Sequence, residues 1–431
     1  MLGLKRGTVK LYQHEKEWEI EAQNTISRLK KILGSAAKDI QHVGSTSILS
    51  IQAKPIIDIA LAVDNFDDIL AFEKELKDEG FYYRPKAQPS IQNQLLFACG
   101  SFYDGSGDLQ THFIHVVLTN SMDWMNYINF RDYLNKMPSV AKKYEKLKIS
   151  LAAQAPVDNG REKYVEGKHD FIVYTLRKAL VNFYLGKTVV IKIDRPLGSA
   201  HPKDASLVYP VNYGYLPGVL GGDGEELDVY LLGVDTPVKE FQARVIGIVH
   251  RHDDVEDKLV AAPEGMDYTA IEIEEAVHFQ EQYYKSEVEA IFEKSCGTVL
   301  YTKRDGIVHY LLIESCGGKN CGFPKGHMEK DENEMETALR ETWEETSIRA
   351  KIVDGFKREI TYAMENGKIK SVVYFLANYE GQVPEHNSGY EHNEYCLLPF
   401  YEAYSRLTYD NMKKLLKEAD EFLVRIPESK G

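Results

Sequence analysis

Residues 326–348 read GHMEKDENEMETALRETWEETSI, and eight of these 23 residues are Asp or Glu. Met335, Leu339 and Trp343 recur four apart, which predicts a helix with that stripe buried. Asp331 followed by Glu334 has the Asp-x-x-Glu spacing of a capping box and predicts the helix start. Glu341, Glu344 and Glu345 then share a second face, at i, i+3 and i+4. Like charges at that spacing cost roughly 0.2–0.5 kcal/mol per pair. A solvated acidic helix tolerates this cost, and charge density alone favours that reading. A divalent cation would turn the cost into a gain. Oxygen-only donors at this density suit Mg²⁺ or Mn²⁺, which can bridge phosphate oxygens and acidify an attacking water.

The spacing changes the odds. The stretch runs Gly326, five residues, Glu332, seven residues, Arg340-Glu341, two residues, Glu344-Glu345, two residues, Ile348. This pattern resembles the box of the Nudix hydrolases, with Thr342 in place of an apolar residue and Ser347 in place of the usual Gly. The resemblance implies an α/β/α sandwich that hydrolyses a nucleoside diphosphate linked to another group. It implies Glu344 and Glu345 as metal ligands, with the Gly326 carbonyl completing the shell. Glu341 becomes a ligand or the general base, and Arg340 orients the glutamates. FPKGH (323–327) with ETALRE (336–341) looks most like the diadenosine tetraphosphate hydrolases, which places Lys325 and His327 against a phosphate chain. Tyr374 in KSVVYFLA (370–377) either stacks on a base or is a buried strand tyrosine. Glu391 is a weaker candidate for a distal carboxylate.

The chain has 431 residues, too many for one ordinary core, so several domains are expected. An apolar fraction of 43% supports globular structure. A net charge of −14 argues against a broad nucleic-acid binder. The five Cys, odd in number and scattered, fit reduced thiols. The N-terminus lacks the apolar core of a signal peptide, and no apolar run is long enough to span a membrane. These features predict a cytoplasmic protein whose partners are nucleotide or diphosphate small molecules, with no membrane partner. They leave the oligomeric state open.

Outward from the acidic helix, the chain reads as three segments, 1–185, 186–294 and 295–431. HEKEWEIEAQNTISRLKKIL (14–33) and residues 130–154 have helical spacing, and IIDIALAV (56–63) looks like a buried strand, so the first segment reads as α/β. TVVIKI, LDVYLLGV and ARVIGIVH, punctuated by Gly and Pro, suggest a small β-barrel in the second. Residues 271–294 look helical. Strands resume in the third.

In the second segment, YPVNYGYLPGVLGGDGEELDVYLLG (209–233) brings Asp223, Glu225 and Asp228 within six residues, behind a turn that Gly221-Gly222 permits. Three acids alone make a plain acidic turn. Their surroundings resemble family I inorganic pyrophosphatases: Tyr209-Pro210-Val211-Asn212-Tyr213-Gly214, then Asp253, Asp254, Glu256 and Asp257 before Lys258-Leu259-Val260-Ala261, then Tyr284-Lys285. The resemblance implies Asp223 and Asp228 as metal ligands and Glu225 as an activator of water. It implies Tyr213, Lys258, Tyr284 and Lys285 as phosphate holders. Lys192 stands where that family has Glu. The hairpin at 194–207 is short, so Arg195, His201 or Lys203 would have to compensate.

In the first segment, IQHVGSTSILSIQAKPIIDIALAV (40–63) places a Gly-Ser loop after one strand and Asp58 on the next. Gly44-Ser45 can cradle phosphate through backbone amides while a strand Asp holds metal, as in nucleotidyltransferases. Ala60 stands where a second carboxylate is usual. With HFIHVV (112–117) and FRDYL (130–134), the segment resembles the GrpB family, which implies a nucleotidyltransferase-like fold. Thr46, Lys54 and Arg131 are further candidates. His112 and His115 are read as flanking one strand face, hydrogen-bonded rather than ligating. The resemblances together suggest a multifunctional, Mg²⁺-dependent phosphoanhydride hydrolase cleaving dinucleoside polyphosphates. A variant reading keeps Nudix hydrolysis on other nucleoside di- or triphosphate derivatives and makes the first two segments nucleotide-binding sensors.

Overall fold

The computed structural model describes residues 1–85, 94–155, 160–202, 204–314, 320–364, 366–385 and 394–425. Lys203, Cys316 and Glu391 lie outside them. Packing divides the chain into two compact units. One is Met1–Tyr184 with Leu216–Asp228 and Val255–Asp257; the other is Leu185–Tyr215 with Val229–Asp254 and Lys258–Gly431.

The first segment is built on a five-stranded sheet. Its strands in chain order are β1 (Asp39–Val43), β2 (Ile57–Val63), β3 (Tyr82–Tyr83), β4 (Gln94–Cys99) and β5 (His112–Leu118), arranged β1-β2-β5-β4-β3. Alternation on β2 sends Ile57, Ile59, Leu61 and Val63 to the same core cluster as Trp18, Ala22, Ile26 and Leu29 of helix α1 (Lys16–Leu33). Asp58 and Ala60 therefore face the other way. Helices α2 (Met122–Lys136) and α3 (Pro138–Gln154) meet at Met137, because Pro138 opens a new helix instead of continuing the old one. Helices α4 (Gly160–Glu166) and α5 (His169–Tyr184) complete the segment.

In the second segment, β6 (Thr188–Arg195), β7 (Asn212–Leu220), β8 (Glu226–Leu231), β9 (Glu240–Arg251) and β10 (Lys258–Ala262) pair in the order β10-β8-β7-β6-β9. The β9–β10 pairing closes them into a five-stranded barrel. Residues 271–294 correct the sequence reading. The helix α6 covers only Ala270–Glu281, and Ser286–Ala290 is strand β11, paired with β9. The signal was the alternation of Glu287 and Glu289 with Val288 and Ala290, which a helix-period count overlooks.

After Ile291 comes β12 (Phe292–Arg304), the spine of the third segment. With β13 (Ile307–Glu314), β14 (Cys321–Gly322), β15 (Lys325–His327), β16 (Lys351–Ala363), β17 (Ile369–Asn378) and β18 (Glu394–Pro399) it makes a seven-stranded sheet. Helix α7 (Glu334–Thr346) has Ala338 in one cluster with Cys296, Val373 and Phe375. Helix α8 (Asp410–Arg425) buries Met412, Leu415 and Leu416 in another with Val299, Val372 and Tyr374. Adjacent strand residues point to opposite faces, so the helices cover both faces of the sheet in an α/β/α sandwich.

Candidate active site

The acidic helix begins two residues later than its sequence suggests. Asn333, not Asp331, is the N-cap. Its side chain accepts from the Met335 and Glu336 amides while Glu336 reaches back to the Asn333 amide, completing the capping box. The buried stripe also differs. Thr337, Ala338, Thr342 and Thr346 are fully buried, whereas Met335 and Trp343 are 42% and 43% exposed. Thr342 is the reason. Its Oγ1 lies 2.7 Å from Oγ1 of Thr298 on β12 and donates to the Ala338 carbonyl, so small hydroxyl residues bring the helix close to the sheet without orphaned polar groups. The departure at Ser347 is also absorbed. Ser347 takes the left-handed C-cap conformation, φ +59°, and its amide donates to the Trp343 carbonyl.

That placement turns Glu341, Glu344 and Glu345 toward β15. Arg340 is the hub. Its Nε and Nη2 donate to the two Glu332 oxygens at 2.6 and 2.9 Å. Its Nη1 donates to Glu341 at 2.7 Å and Glu344 at 3.1 Å, and Nη2 reaches the His327 carbonyl at 2.8 Å. The fork holds Glu332 so firmly as carboxylate that its pKa falls to about 2. Glu345 accepts from the Lys325 amide at 2.9 Å. Burial raises the Glu341 carboxyl against the opposing pull of Arg340, and Glu344 adds to the rise. The structure thus brings together Gly326, Arg340, Glu341, Glu344 and Glu345, as the spacing implies.

The donors suit a hard divalent cation. A Cβ on Gly326 would fall 2.0 Å from the Glu341 carboxyl carbon, so only glycine lets this carboxylate lie against the β15 backbone. All donors are oxygens. As the side chains stand, no three such groups among the described residues converge on one point; the Arg340 guanidinium lies between Glu332, Glu341 and Glu344.

Two residues beside the site escaped the sequence reading. Lys370 on β17 has Nζ 3.4 Å from His327 Nε2, and burial with the nearby Lys325 lowers its pKa. Glu293 pairs with His327 at 3.3 Å and Lys368 at 3.0 Å. Lys370 was visible as the lysine opening KSVVYFLA; nothing in the sequence marks Glu293. Tyr374 is a correction. It is 1% exposed, belongs to the core cluster on the α8 face, and makes an edge contact with Phe323, so its ring offers no base-stacking surface.

In the barrel segment each candidate has its own surroundings. Asp223 and Glu225 are exposed on one turn, where Asp223 Oδ1 accepts from the Glu225 amide at 2.9 Å; Asp228 is half-buried. Tyr213 is fully buried among Tyr209 and Tyr230, under the Arg195 guanidinium. Arg251 lies 3.6 Å over the Tyr284 ring. Lys258 is 5% exposed, and the Lys285 amide donates to Asp253. Lys192 pairs with Glu240. Asp254 is bound by Arg251 at 2.8 Å. Asp257, fully buried, is bound by Arg177 at 2.6 Å and Lys178 at 2.8 Å, both from α5.

In the first segment, Gly44 (φ +69°) abuts Asp58, where a Cβ would lie 2.4 Å from the carboxylate. Ser45 bonds the Tyr144 hydroxyl, and Thr46 bonds His42. Arg131 donates to the Gln41 side chain and the His42 carbonyl. His112 and His115 do not share a face, as their odd separation requires. His112 is 3.2 Å from Thr25 on α1. His115 is 3.3 Å from Asp58 and its ring lies over Tyr127.

Comparison with known proteins matches three family profiles along the chain: GrpB protein at residues 8–178, inorganic pyrophosphatase at 186–296 and NUDIX domain at 292–419. The glutamate-rich protein GrpB of Alkalihalophilus pseudofirmus is 40% identical over 173 residues, covering 40% of this chain and 96% of that protein. The asymmetrical bis(5'-nucleosyl)-tetraphosphatase of Mus musculus is 34% identical over 144 residues, covering 31% of this chain and 97% of that protein. The crystal structure of the conserved protein GrpB from Enterococcus faecalis aligns with TM-score 0.36 and 25% identity, over 41% of this chain and 99% of that one.

Proposed function

The chain belongs to the GrpB family through its first segment and to the Nudix hydrolases through its last, with an inorganic pyrophosphatase domain between, and from that premise we propose that it splits dinucleoside polyphosphates asymmetrically. The broader statement needs no proposal: the protein is a hydrolase acting on acid anhydrides. In our reading the substrate is a bis(5'-nucleosyl) tetraphosphate and the products are a nucleoside triphosphate and a monophosphate. Domains at 1–185, 186–294 and 295–431, and cytoplasmic residence, belong to the same proposal.

The supporting observation is the Arg340 hub. One guanidinium fixes Glu341 and Glu344 on the α7 face and ties them to β15 through the His327 carbonyl. Glu344, Glu345 and the Gly326 carbonyl would hold Mg²⁺ (or Mn²⁺), which leaves Glu341 as the general base. The bound ion supplies charge neutralisation on phosphate oxygens and an acidified water. Glu341 accepts the proton of the attacking water, a role its raised pKa suits. Lys325, His327 and Lys370 bind the phosphate chain and hold it in line for attack. Glu332 keeps Arg340 in place as a permanent anion.

A second reading applies to the middle segment, where Asp254 and Asp257 are occupied by Arg251, Arg177 and Lys178. That pairing favours a binding rather than catalytic role, with Asp223, Asp228 and Glu225 as the residues to test. The experiment for both readings is product analysis with Mg²⁺ on diadenosine tetraphosphate, pyrophosphate, ATP and ADP-ribose, with Glu344→Gln alongside. Formation of ATP and AMP, lost in Glu344→Gln, supports the hydrolase reading; turnover of another substrate alone sinks the dinucleoside assignment. Pyrophosphate cleavage that survives Glu344→Gln and is lost in Asp228→Asn would sink the binding-only role.

A further inference from the structure

The first segment holds a group of four cations, of which only Lys54 is a candidate from the sequence. Lys54 Nζ and Lys168 Nζ stand 5.1 and 4.7 Å from the centroid of the same Tyr164 ring. Lys148 is 1% exposed, with its Nζ 4.8 Å from the Tyr144 ring and donating to the Gln52 carbonyl. Arg161 lies over Phe113 and donates to Gln110 Oε1 at 3.1 Å. Among the described residues, Lys54, Arg161 and Lys168 have no carboxylate within salt-bridge distance. Glu145 is already engaged by Lys142 and the Gln52 amide. Asp58 acts on both Lys54 and Lys168, and among the described residues it is the one acid that does.

Like charges gathered in half-buried space repel, and an aromatic face offsets only about 0.5–2 kcal/mol of that. Burial first, and the neighbouring charges after it, act on the groups themselves. Lys54 is pushed down to about 7 by burial and then by Lys168 and Arg161. Lys148 is pushed down to about 7 by burial and then by Lys168. Such a cluster persists where a ligand supplies the missing anion. The cluster adjoins the Gly44-Ser45 turn. Ser45 bonds Tyr144, the ring under Lys148, and Gly44 abuts Asp58, the acid acting on Lys54 and Lys168.

We propose that Lys54, Lys148, Arg161 and Lys168 form a binding site for a chain of two or more phosphates, bound beside Gly44-Ser45 and Asp58. Several cations against one carboxylate match a di- or triphosphate better than a single phosphate or a carboxylic acid. The site lies wholly within residues 44–168, so it stands or falls apart from the hydrolase reading of residues 295–431.

The test is calorimetric titration of the full chain with inorganic tripolyphosphate and, separately, ATP, in EDTA so that no metal-dependent cleavage occurs. Arg161→Gln and the double variant Lys54→Met with Lys168→Met are titrated alongside, and Glu344→Gln is the control for the other end of the chain. The expected result is one class of site weakened about tenfold or more in each cation variant and unchanged in Glu344→Gln. Equal losses for tripolyphosphate and ATP identify the phosphate chain as the recognised group. A loss for ATP alone identifies a nucleotide whose base or sugar is also held. Identical titrations for wild type and Arg161→Gln overturn the proposal. So does a site that binds an oligonucleotide but neither phosphate compound. If the double variant does not fold, Arg161→Gln decides alone, since Arg161 contributes to no core cluster.

Discussion

The carboxylates of residues 341–345 and those of residues 253–257 are similarly dense in sequence, and the fold treats them in opposite ways. In the first set one guanidinium, that of Arg340, is shared by Glu341, Glu344 and the preceding Glu332 and Glu329. At Asp257 the ratio is reversed: two cations, Arg177 and Lys178, serve one fully buried carboxylate. The lesson is that the density of acids does not by itself mark a metal site. A carboxylate matched by buried cations has little left to offer a divalent ion. Burial and Glu344 raise Glu341, whereas the Arg340 fork holds Glu332, nine residues earlier, near 2. The same contrast therefore runs inside the acidic helix region, between a carboxylate fit to take a proton and one fixed as an anion.

The sharpest way to break this comparison is to neutralise one acid in each set. Glu344→Gln keeps the size of the side chain and removes its charge. We expect diadenosine tetraphosphate cleavage to fall about a thousandfold, roughly 4 kcal/mol of transition-state stabilisation, with thermal stability nearly unchanged. Asp257→Asn should do the reverse. It removes the buried charge that Arg177 and Lys178 are paired with, and breaking a buried ion pair costs about 3–5 kcal/mol, read as a drop in the denaturant midpoint. Hydrolysis of the dinucleoside substrate by the folded fraction should be unaffected. If Asp257→Asn instead abolishes turnover while stability holds, the contrast between the two sets is wrong.

The pH dependence sharpens it within the helix. Glu341 has a raised pKa, so its proton-accepting form is lost early on acidification. The acid limb of kcat should fall about tenfold per pH unit below that pKa, and Glu341→Gln should remove the limb along with most of the activity. Glu332 behaves oppositely. Its folded pKa, about 2, is depressed below the ordinary value near 4.5. Its contribution to stability is therefore complete above the ordinary value and is lost as pH falls from there through about 2. Acid unfolding of Glu332→Gln should lack that component, while its rate profile keeps the Glu341 limb.

Much of this was legible in advance, and the misses have physical causes. The α1 helix, the β2 strand and the barrel strands follow from periods of 3.6 and 2 that tertiary packing reinforced. Gly326, Arg340, Glu341, Glu344 and Glu345 came together because their spacing on α7 and β15 fixes them locally. Met335, Leu339 and Trp343 misled because apolar spacing assumes that greasy side chains are the buried ones. Here Thr342 and Thr298 satisfy one another, so a face of Thr and Ala could be buried instead. Asn333 displaced Asp331 as the cap because Asp331 takes a left-handed conformation, φ +68°, while Asn333 has the extended backbone that an N-cap needs. The Lys54, Lys148, Arg161 and Lys168 cluster was invisible because its members are separated by up to 114 positions in sequence and meet only when α3 and α4 fold back on the loop before β2.

The smallest expected effect tests whether the departures from the acidic-helix pattern carry any cost. Ser347 holds φ +59°, a conformation that costs a residue with a side chain about 1 kcal/mol more than glycine. Its hydroxyl recovers part of that by donating to the Glu385 carbonyl at 3.1 Å. Ser347→Gly removes both the strain and the bond. A bond of this kind nets roughly 0.5–1 kcal/mol where it is partly exposed, so the two terms nearly cancel and the midpoint should move by less than about 0.5 kcal/mol. Turnover should be unchanged, because the Trp343 carbonyl still receives the amide at position 347 and the last turn of α7 keeps Glu344 and Glu345 in place. A destabilisation of more than about 1 kcal/mol would mean that the Glu385 contact, and not the backbone conformation, sets the end of the helix.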